Sequence, residues 1–534
     1  MTFDVLIRGG AVVDGTGRTA FPADVAIAGE RIAAIARPEE LAGAAAATVI
    51  DAEGKLVTPG FIDIHTHSDR SIVINPRMES KVRQGVTTEI GGNCGSGVAP
   101  ARGRALAAAQ KEAERDGQPG AWTTMAEYFA HVERQGIAGN YATWVGHGTL
   151  RASVLGYEMR PPTEDELAQL QALLREALAA GAFGLSTGLI YVPSGYADTD
   201  EITALAQVVR EYGGLYASHI RNEGSGLLDA VGEAIAIGRR ADVPVQVAHH
   251  KASGKQNWGL VEQTLALMDR ARAEGVDVAC DQYPYVASST GLTSMLPKWA
   301  LEGGREALVP RLKDPATRAQ IREEMLAQRP DLATLDPESH WHNVLIARAR
   351  NARHLEGKRL GEIALAQDRD PFEVYFDLLV EHEGNVGGVF FALCEEDVQT
   401  VMRWSHTMVG SDASSVAPYG PLGGGKPHPR AYGTFPRVLG RYVRELGTLR
   451  WDEAIHKMTA MPARRLGLRD RGELRPGAYA DVVVLDPATV ADRATFQEPH
   501  QYPLGIEHVI VNGALVVRVG EHTGALPGRV LRAN

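Results

Sequence analysis

Only three cysteines, Cys94, Cys280 and Cys394, occur in 534 residues, too few for a disulfide framework. No apolar stretch approaches the roughly 20 uncharged residues that a bilayer span needs, and no basic run appears. The formal net charge is −11, which together with the lack of a basic run argues against nucleic acid and anionic membrane surfaces as partners. Internal repeats and low-complexity tracts are absent. The opening MTFDVLIRGGAVVDG breaks its apolar run with Asp and Arg, which reads as strand and turn rather than a secretory signal. What remains is ordinary globular composition, 44% hydrophobic and 23% charged, long enough for one large core with satellites. The expectation is a cytoplasmic protein acting on a small molecule; oligomeric state is left open.

Both ends of the chain read as β. DVLIRGGAVVDG and DVAIAGERIAAIA near the start alternate apolar positions between Gly-bearing turns, and GAYADVVVLD and IEHVIVNGALVVRVG near the end do the same. Asn512-Gly513 is a strong hairpin signal. Each piece is too small for its own core, so residues 1–57 and 470–534 are expected to build one β domain together. The Ala-rich stretch 41–48 reads as a loop.

Residues 58–469 alternate strand-like runs with amphipathic helices. The runs are FIDIHTH (61–67), VTTEIGGNC (86–94), TWVGHG (143–148), AFGLSTGL (182–189), LYASHI (215–220), VPVQVAHH (243–250), VDVACDQYPY (276–285), VGGVFFALCEE (386–396) and TMVGSDAS (407–414). Thr163-x-x-Glu166 fits a capping box opening a helix that Gly181 ends, and Thr199 to Tyr212 reads as another helix closed by Gly213. This rhythm predicts parallel βαβ units, most simply a (β/α)₈ barrel. Nine candidates compete for eight places, with VGGVFFALCEE or VDVACDQYPY the surplus one. Residues 296–350 lose the rhythm and read as an insertion at the barrel mouth, a candidate lid.

Polar residues collect at the C-terminal ends of these runs, where barrel enzymes carry their sites. His65 and His67 are spaced i, i+2, so a strand would aim both at one ion, and Asp63 shares their face as a hydrogen-bond acceptor. Cys94 in GGNCGSG, His219 in YASHIRNEG, His249 in VQVAHHKASG and Asp412 in VGSDAS each end another run. Singly, each is as readily a structural group; together they point to a metal. His250, beside His249, faces the other way. Imidazoles with one thiolate and open positions suit Zn²⁺, which acidifies water and polarises a carbonyl. Asp412 is then placed to move a proton from water to a leaving amine, and the chemistry is hydrolysis of an amide-like bond. His147 in VGHG either meets a substrate oxygen or packs. Lys251, Tyr283, Ser289 and Arg430 either clamp a carboxylate or simply face solvent. GGGKPHPRAYG reads as a mobile loop and matches a phosphate loop poorly.

On these residues the chain resembles the amidohydrolase superfamily, and within it the N-acyl-D-amino-acid deacylases (D-aminoacylases). GFIDIHTHSD is similar to the superfamily's first-strand motif. GGNCG, SHIRNE, AHHKASG, DQYPYVASSTGL and VGSDAS with PHPRAYGTFPR are similar to the deacylase branch, and the likeness extends to MPARRLGLRDRGELRPGAYADVVVLD. The resemblance implies a zinc-bearing barrel with a small β-sandwich built from both termini. It implies Cys94, His219 and His249 as ligands of a tight zinc, His65 and His67 at a second, weaker position, and Asp412 as catalytic acid and base. It also implies Lys251, Tyr283, Ser289 and Arg430 around the substrate's α-carboxylate, with the D-configuration coming from the resemblance alone. A cyclic-amide hydrolase such as a hydantoinase or dihydroorotase is the alternative, disfavoured because those enzymes carry a carbamylated Lys where Cys94 stands. A non-enzymatic scaffold is disfavoured by the full ligand set.

Overall fold

The computed structural model describes residues 2–117, 120 and 122–533. The two ends of the chain meet in one nine-stranded sheet. Strand Leu56–Pro59 joins them, running parallel to Thr2–Val12 on one side and antiparallel to Val482–Leu485 on the other. Period-2 alternation gives this sheet two apolar faces. Val482, Val484 and Ile510 pack with Val5, Ile7, Val25 and Ile27, while Val483, Leu485, Val509 and Val511 join the core around the barrel. Asn512 and Gly513 turn the hairpin between Ile506–Val511 and Ala514–Arg518 with φ of 47° and 81°, the two left-handed positions that a tight two-residue turn requires. The 41–48 stretch is a correction: Ala45–Asp51 is a strand lying parallel to Thr2–Val12. Its small side chains carry no strong preference of their own, and the exposed edge of the neighbouring strand decides.

A single residue, Gly60, separates Leu56–Pro59 from the first barrel strand, Phe61–Asp63. The barrel continues with Val86–Gly91, Asn140–Thr143 carried on by Val145–Gly146, Gly184–Gly188, Leu215–His219, Val245–Val247, Val278–Gln282 and Thr407–Val409. All neighbouring pairs are parallel. The ring closes where Asp412 N donates to His65 O at 2.8 Å and Thr66 bridges Ala413. This is a (β/α)₈ barrel. Its helices follow the sequence signals: Glu164–Ala179 starts with a Thr163/Glu166 capping box, and Thr199–Glu211 with an Asp198 cap.

VDVACDQYPY supplies the seventh strand. VGGVFFALCEE is the surplus run: Gly387–Phe390 lies in a separate antiparallel sheet between Ser288–Gly291 and Val344–Arg348. The insertion is accordingly larger than residues 296–350. From Ser288 to Phe390 the chain forms a body with its own core, centred on Leu292, Leu308, Trp341, Phe372 and Tyr375. Its helices Leu360–Gln367 and Pro371–Glu381, followed by a strand, mimic one more barrel repeat in sequence. Among the described residues no helix is long and apolar enough to cross a membrane.

Inside the barrel, Ile62, Ile64, Ile90, Trp144, Phe183, Leu215, Ala217, Ala279 and Met408 pack into one apolar cluster. Two residues further along the same faces, at the C-terminal ends of their strands, come His219 and Asp281. The floor of the barrel is greasy and its rim is polar.

Candidate metal centre

The rim residues named from sequence converge. Cys94 Sγ lies 3.4 Å from His65 Nε2 and 3.3 Å from His249 Nε2, and His249 Nε2 is 2.8 Å from His219 Nδ1. His65, Cys94, His249 and Asp412 each offer a ligand atom within 4.8 Å of the others, as do His219, Glu223 and His249. His67 stands to one side, its Nε2 2.9 Å from Asp412 Oδ1.

Local backbone brings this about. Cys94, His249 and Asp412 adopt φ of 52°, 36° and 51°, the left-handed region that non-glycine residues enter only when their surroundings hold them there. At His249 this undoes strand alternation. Val245 and Val247 face the outer core, and a straight strand would send residue 249 the same way. The turn redirects it to the rim, while His250 stays outside, its Nε2 2.8 Å from Thr264 Oγ1. Burial and the nearby Lys251 charge depress the His250 ring to about 4. Gly188 allows the close approach on the other side: a Cβ there would sit 2.1 Å from Cys94 O.

The charges are mutually arranged. Burial alone would raise the Cys94 thiol, but the His249, His65 and His219 imidazoles hold it well below its ordinary range. Burial likewise opposes ionisation of Asp412, and Arg430, His249 and His67 overcome it. Arg430 Nη1 sits 2.8 Å from Asp412 Oδ2. Burial works against a charged His67 ring too, yet Asp412 and Cys94 lift it to about 9. His219 Nε2 is buried without a hydrogen-bond partner. An acidified thiol, converging imidazoles, a carboxylate and an orphan ring nitrogen form the donor set of a zinc-type cation, so the residues present fit a divalent metal.

Two acceptors escaped the sequence reading. Asp281, not Asp63, accepts from His65 Nδ1 at 2.9 Å and also from His249 N at 2.8 Å. Glu223 Oε1 lies 3.2 Å from His249 Nδ1 and 2.5 Å from Lys251 Nζ. Each was within reach of sequence reasoning: Asp281 continues the inward face of Ala279, and Glu223 follows His219 by four residues. Asp63 instead pairs with the buried Lys81 at 2.8 Å and accepts from Ser411 N at 2.8 Å.

The carboxylate-clamp candidates are gathered around one ring. Tyr283 is flanked by the Arg430 guanidinium, 4.5 Å from its centroid, and by Lys251 Nζ at 5.6 Å. Arg430 Nη2 donates to Ser289 O at 3.2 Å, and Ser289 Oγ donates to Gly388 O at 2.9 Å. Tyr283 Oη and Arg430 Nε are buried without hydrogen-bond partners. His147 is a correction: it is fully buried, with Nδ1 2.7 Å from Ser194 Oγ and Nε2 3.0 Å from Glu201 Oε1. With both nitrogens engaged, it packs. The Gly-rich segment before Arg430 is tied down, Lys426 N donating to Ala347 O at 2.6 Å.

A family model described as the amidohydrolase family matches residues 48–517. The chain is 38% identical over 533 residues to the D-aminoacylase of Alcaligenes xylosoxydans xylosoxydans, covering 99% of this chain and 97% of that protein. It is 40% identical over 529 residues to the N-acyl-D-glutamate deacylase of the same organism, covering 99% and 96%. Among solved structures, the N-acyl-D-glutamate deacylase of Bordetella bronchiseptica was determined with zinc and a phosphonate inhibitor that mimics the tetrahedral intermediate. It aligns over 100% of both chains with a TM-score of 0.84 at 38% identity.

Proposed function

The chain belongs to the amidohydrolase family, and from that footing we propose that it hydrolyses N-acyl-D-amino acids to a carboxylate and a free D-amino acid, with zinc as cofactor. The observation that carries this reading is the clustering of Cys94, His65, His219 and His249 beside an ionised Asp412 at the barrel rim.

Zinc held by Cys94, His219 and His249, with His65 and His67 serving a second position, would polarise the acyl carbonyl and acidify water. Asp412, unprotonated at neutral pH, takes the proton of the attacking water at a carboxylate oxygen and delivers it to the departing nitrogen. Arg430 Nη1, 2.8 Å from Asp412 Oδ2, fixes the orientation of that carboxylate. The free Tyr283 Oη and Arg430 Nε are donors for the substrate's α-carboxylate, with Lys251 adding charge from the far side of the ring and Ser289 lining the approach. Burial pushes Tyr283 up to about 12, so its hydroxyl stays a donor. Anchoring the α-carboxylate sets the scissile bond over the ligand cluster, the positional part of the rate enhancement.

A panel of N-acetyl D- and L-amino acids and a cyclic ureide, each with added zinc or chelator, tests the proposal. Turnover of D-substrates alone, lost to chelator and restored by zinc, is the expected result. Preferential L-hydrolysis, ring opening, or chelator-insensitive activity would overturn it.

A further inference from the structure

Gly92, Cys94 and Gly95 take φ of 70°, 52° and 72°, and only the two glycines adopt such values freely. What holds Cys94 there comes from the neighbouring strand. Ser186, wholly buried within Gly184–Gly188, donates from Oγ to Gly92 O and accepts from Gly95 N at 3.0 Å. One hydroxyl thus clasps the backbone on either side of Asn93 and Cys94. The buried Asn93 adds a second tie. Its Nδ2 donates to Ile90 O at 2.9 Å and to Thr66 O at 3.3 Å, and Thr66 lies between His65 and His67. Further along, Thr149 N donates to Gly95 O at 3.2 Å.

A hydroxyl donates and accepts through a single atom, which is what a carbonyl and an amide facing one point require. Alanine at 186 would fill nearly the same space and satisfy neither. The loop is also seated directly on this strand: a Cβ on Gly95 would come within 2.7 Å of Gly188 N. Leu185 and Thr187 turn the other way, Leu185 into the core outside the barrel and Thr187 Oγ1 to 2.9 Å from Tyr216 Oη. Resting on Cys94 as a zinc ligand in the reading above, we propose that Ser186 and Asn93 are positioning residues for the metal centre. Ser186 fixes the turn from which Cys94 Sγ reaches His249 and His65. Asn93 sets that turn in register with the segment bearing His65 and His67. Neither side chain lines the cavity beside Asp412. Their effect falls on how firmly the metal is held, as for groups that orient metal ligands from behind.

The test loads wild type, S186A, S186T and N93A with zinc and, separately, with Co²⁺. Zinc loss to a chromogenic chelator is expected to be about 10- to 100-fold faster in S186A and N93A, the scale of a lost partner behind a metal ligand. S186T keeps the hydroxyl and should hold zinc better than S186A. The sulfur-to-cobalt charge-transfer band reports the Cys94 thiolate directly, and a general loss of stability does not move it in folded protein. It should weaken or shift in S186A and return in S186T. With an N-acetyl-D-amino acid, kcat should fall while KM holds. If S186A does not accumulate in soluble form, N93A decides. Wild-type zinc loss and an unmoved cobalt band in the variants that fold overturn this inference alone. Absence of that band from wild type overturns Cys94 as a ligand and this inference with it. Failure of wild type on the D-substrate panel overturns the deacylase reading, and the zinc and cobalt results still decide this one.

Discussion

Replacing Lys81 with Met probes how the rim is held. Lys81 and Asp63 are both wholly buried. The three ammonium protons have three acceptors: Asp63 Oδ2 at 2.8 Å, Ser411 Oγ, and Ala413 O at 3.0 Å. Two of these belong to the neighbours of Asp412, so the ammonium group pins the strained turn that presents the proposed acid-base carboxylate. Losing one member of a buried pair leaves the other charge stranded, at a cost of about 3–5 kcal/mol, or roughly 10²- to 10³·⁵-fold in the folding equilibrium. Removing both members is milder, because nothing charged is left behind. The assay is a cycle of K81M, D63N and the double variant, read by urea unfolding and by kcat. The double variant should lie well below the sum of the singles, with a coupling on the order of 0.5–3 kcal/mol. Soluble K81M should lose at least about tenfold in kcat with a smaller change in KM. Additive stabilities, or K81M within about 0.5 kcal/mol of wild type, would refute the reasoning.

Asp412→Asn should keep its zinc and lose at least about 10²-fold in kcat; near-normal turnover would remove Asp412 from proton transfer. Cys94→Ala should purify with substoichiometric metal, measured by elemental analysis, and an unchanged zinc content would take the thiolate out of the ligand set. Gly188→Ala places a methyl 2.1 Å from Cys94 O; overpacking of about 1–3 kcal/mol should appear as a lower Tm together with faster zinc loss on dialysis. Retention of zinc at the wild-type rate would show that Gly188 does not govern the Cys94 turn.

Strand-helix rhythm made the barrel legible because each run carries both an apolar core pattern and a polar end. It left VGGVFFALCEE and VDVACDQYPY competing for one place for the same reason: two amphipathic helices and a strand look alike in sequence whether they pack on the barrel or on a separate core around Trp341. The hairpin at Asn512-Gly513 and the capping box at Thr163 were readable because their signals are local. His249 was named from its place at a strand end, but the left-handed turn that brings it to Cys94 has no sequence signature. His147 shows the converse. It ends a strand like the others, and only the proximity of Ser194 and Glu201, distant in sequence, marks it as a packed residue.

Because only Gly60 parts Leu56–Pro59 from Phe61–Asp63, the strand leading to His65 and His67 is spliced into the middle of the terminal sheet. Gly60 N is fastened to Asp481 O at 2.8 Å, which ties the far end of the polypeptide to the same joint. The terminal sheet thus behaves as a keystone rather than an appendage: trimming either tail would loosen the two histidines from behind, without touching a single atom that faces the cavity.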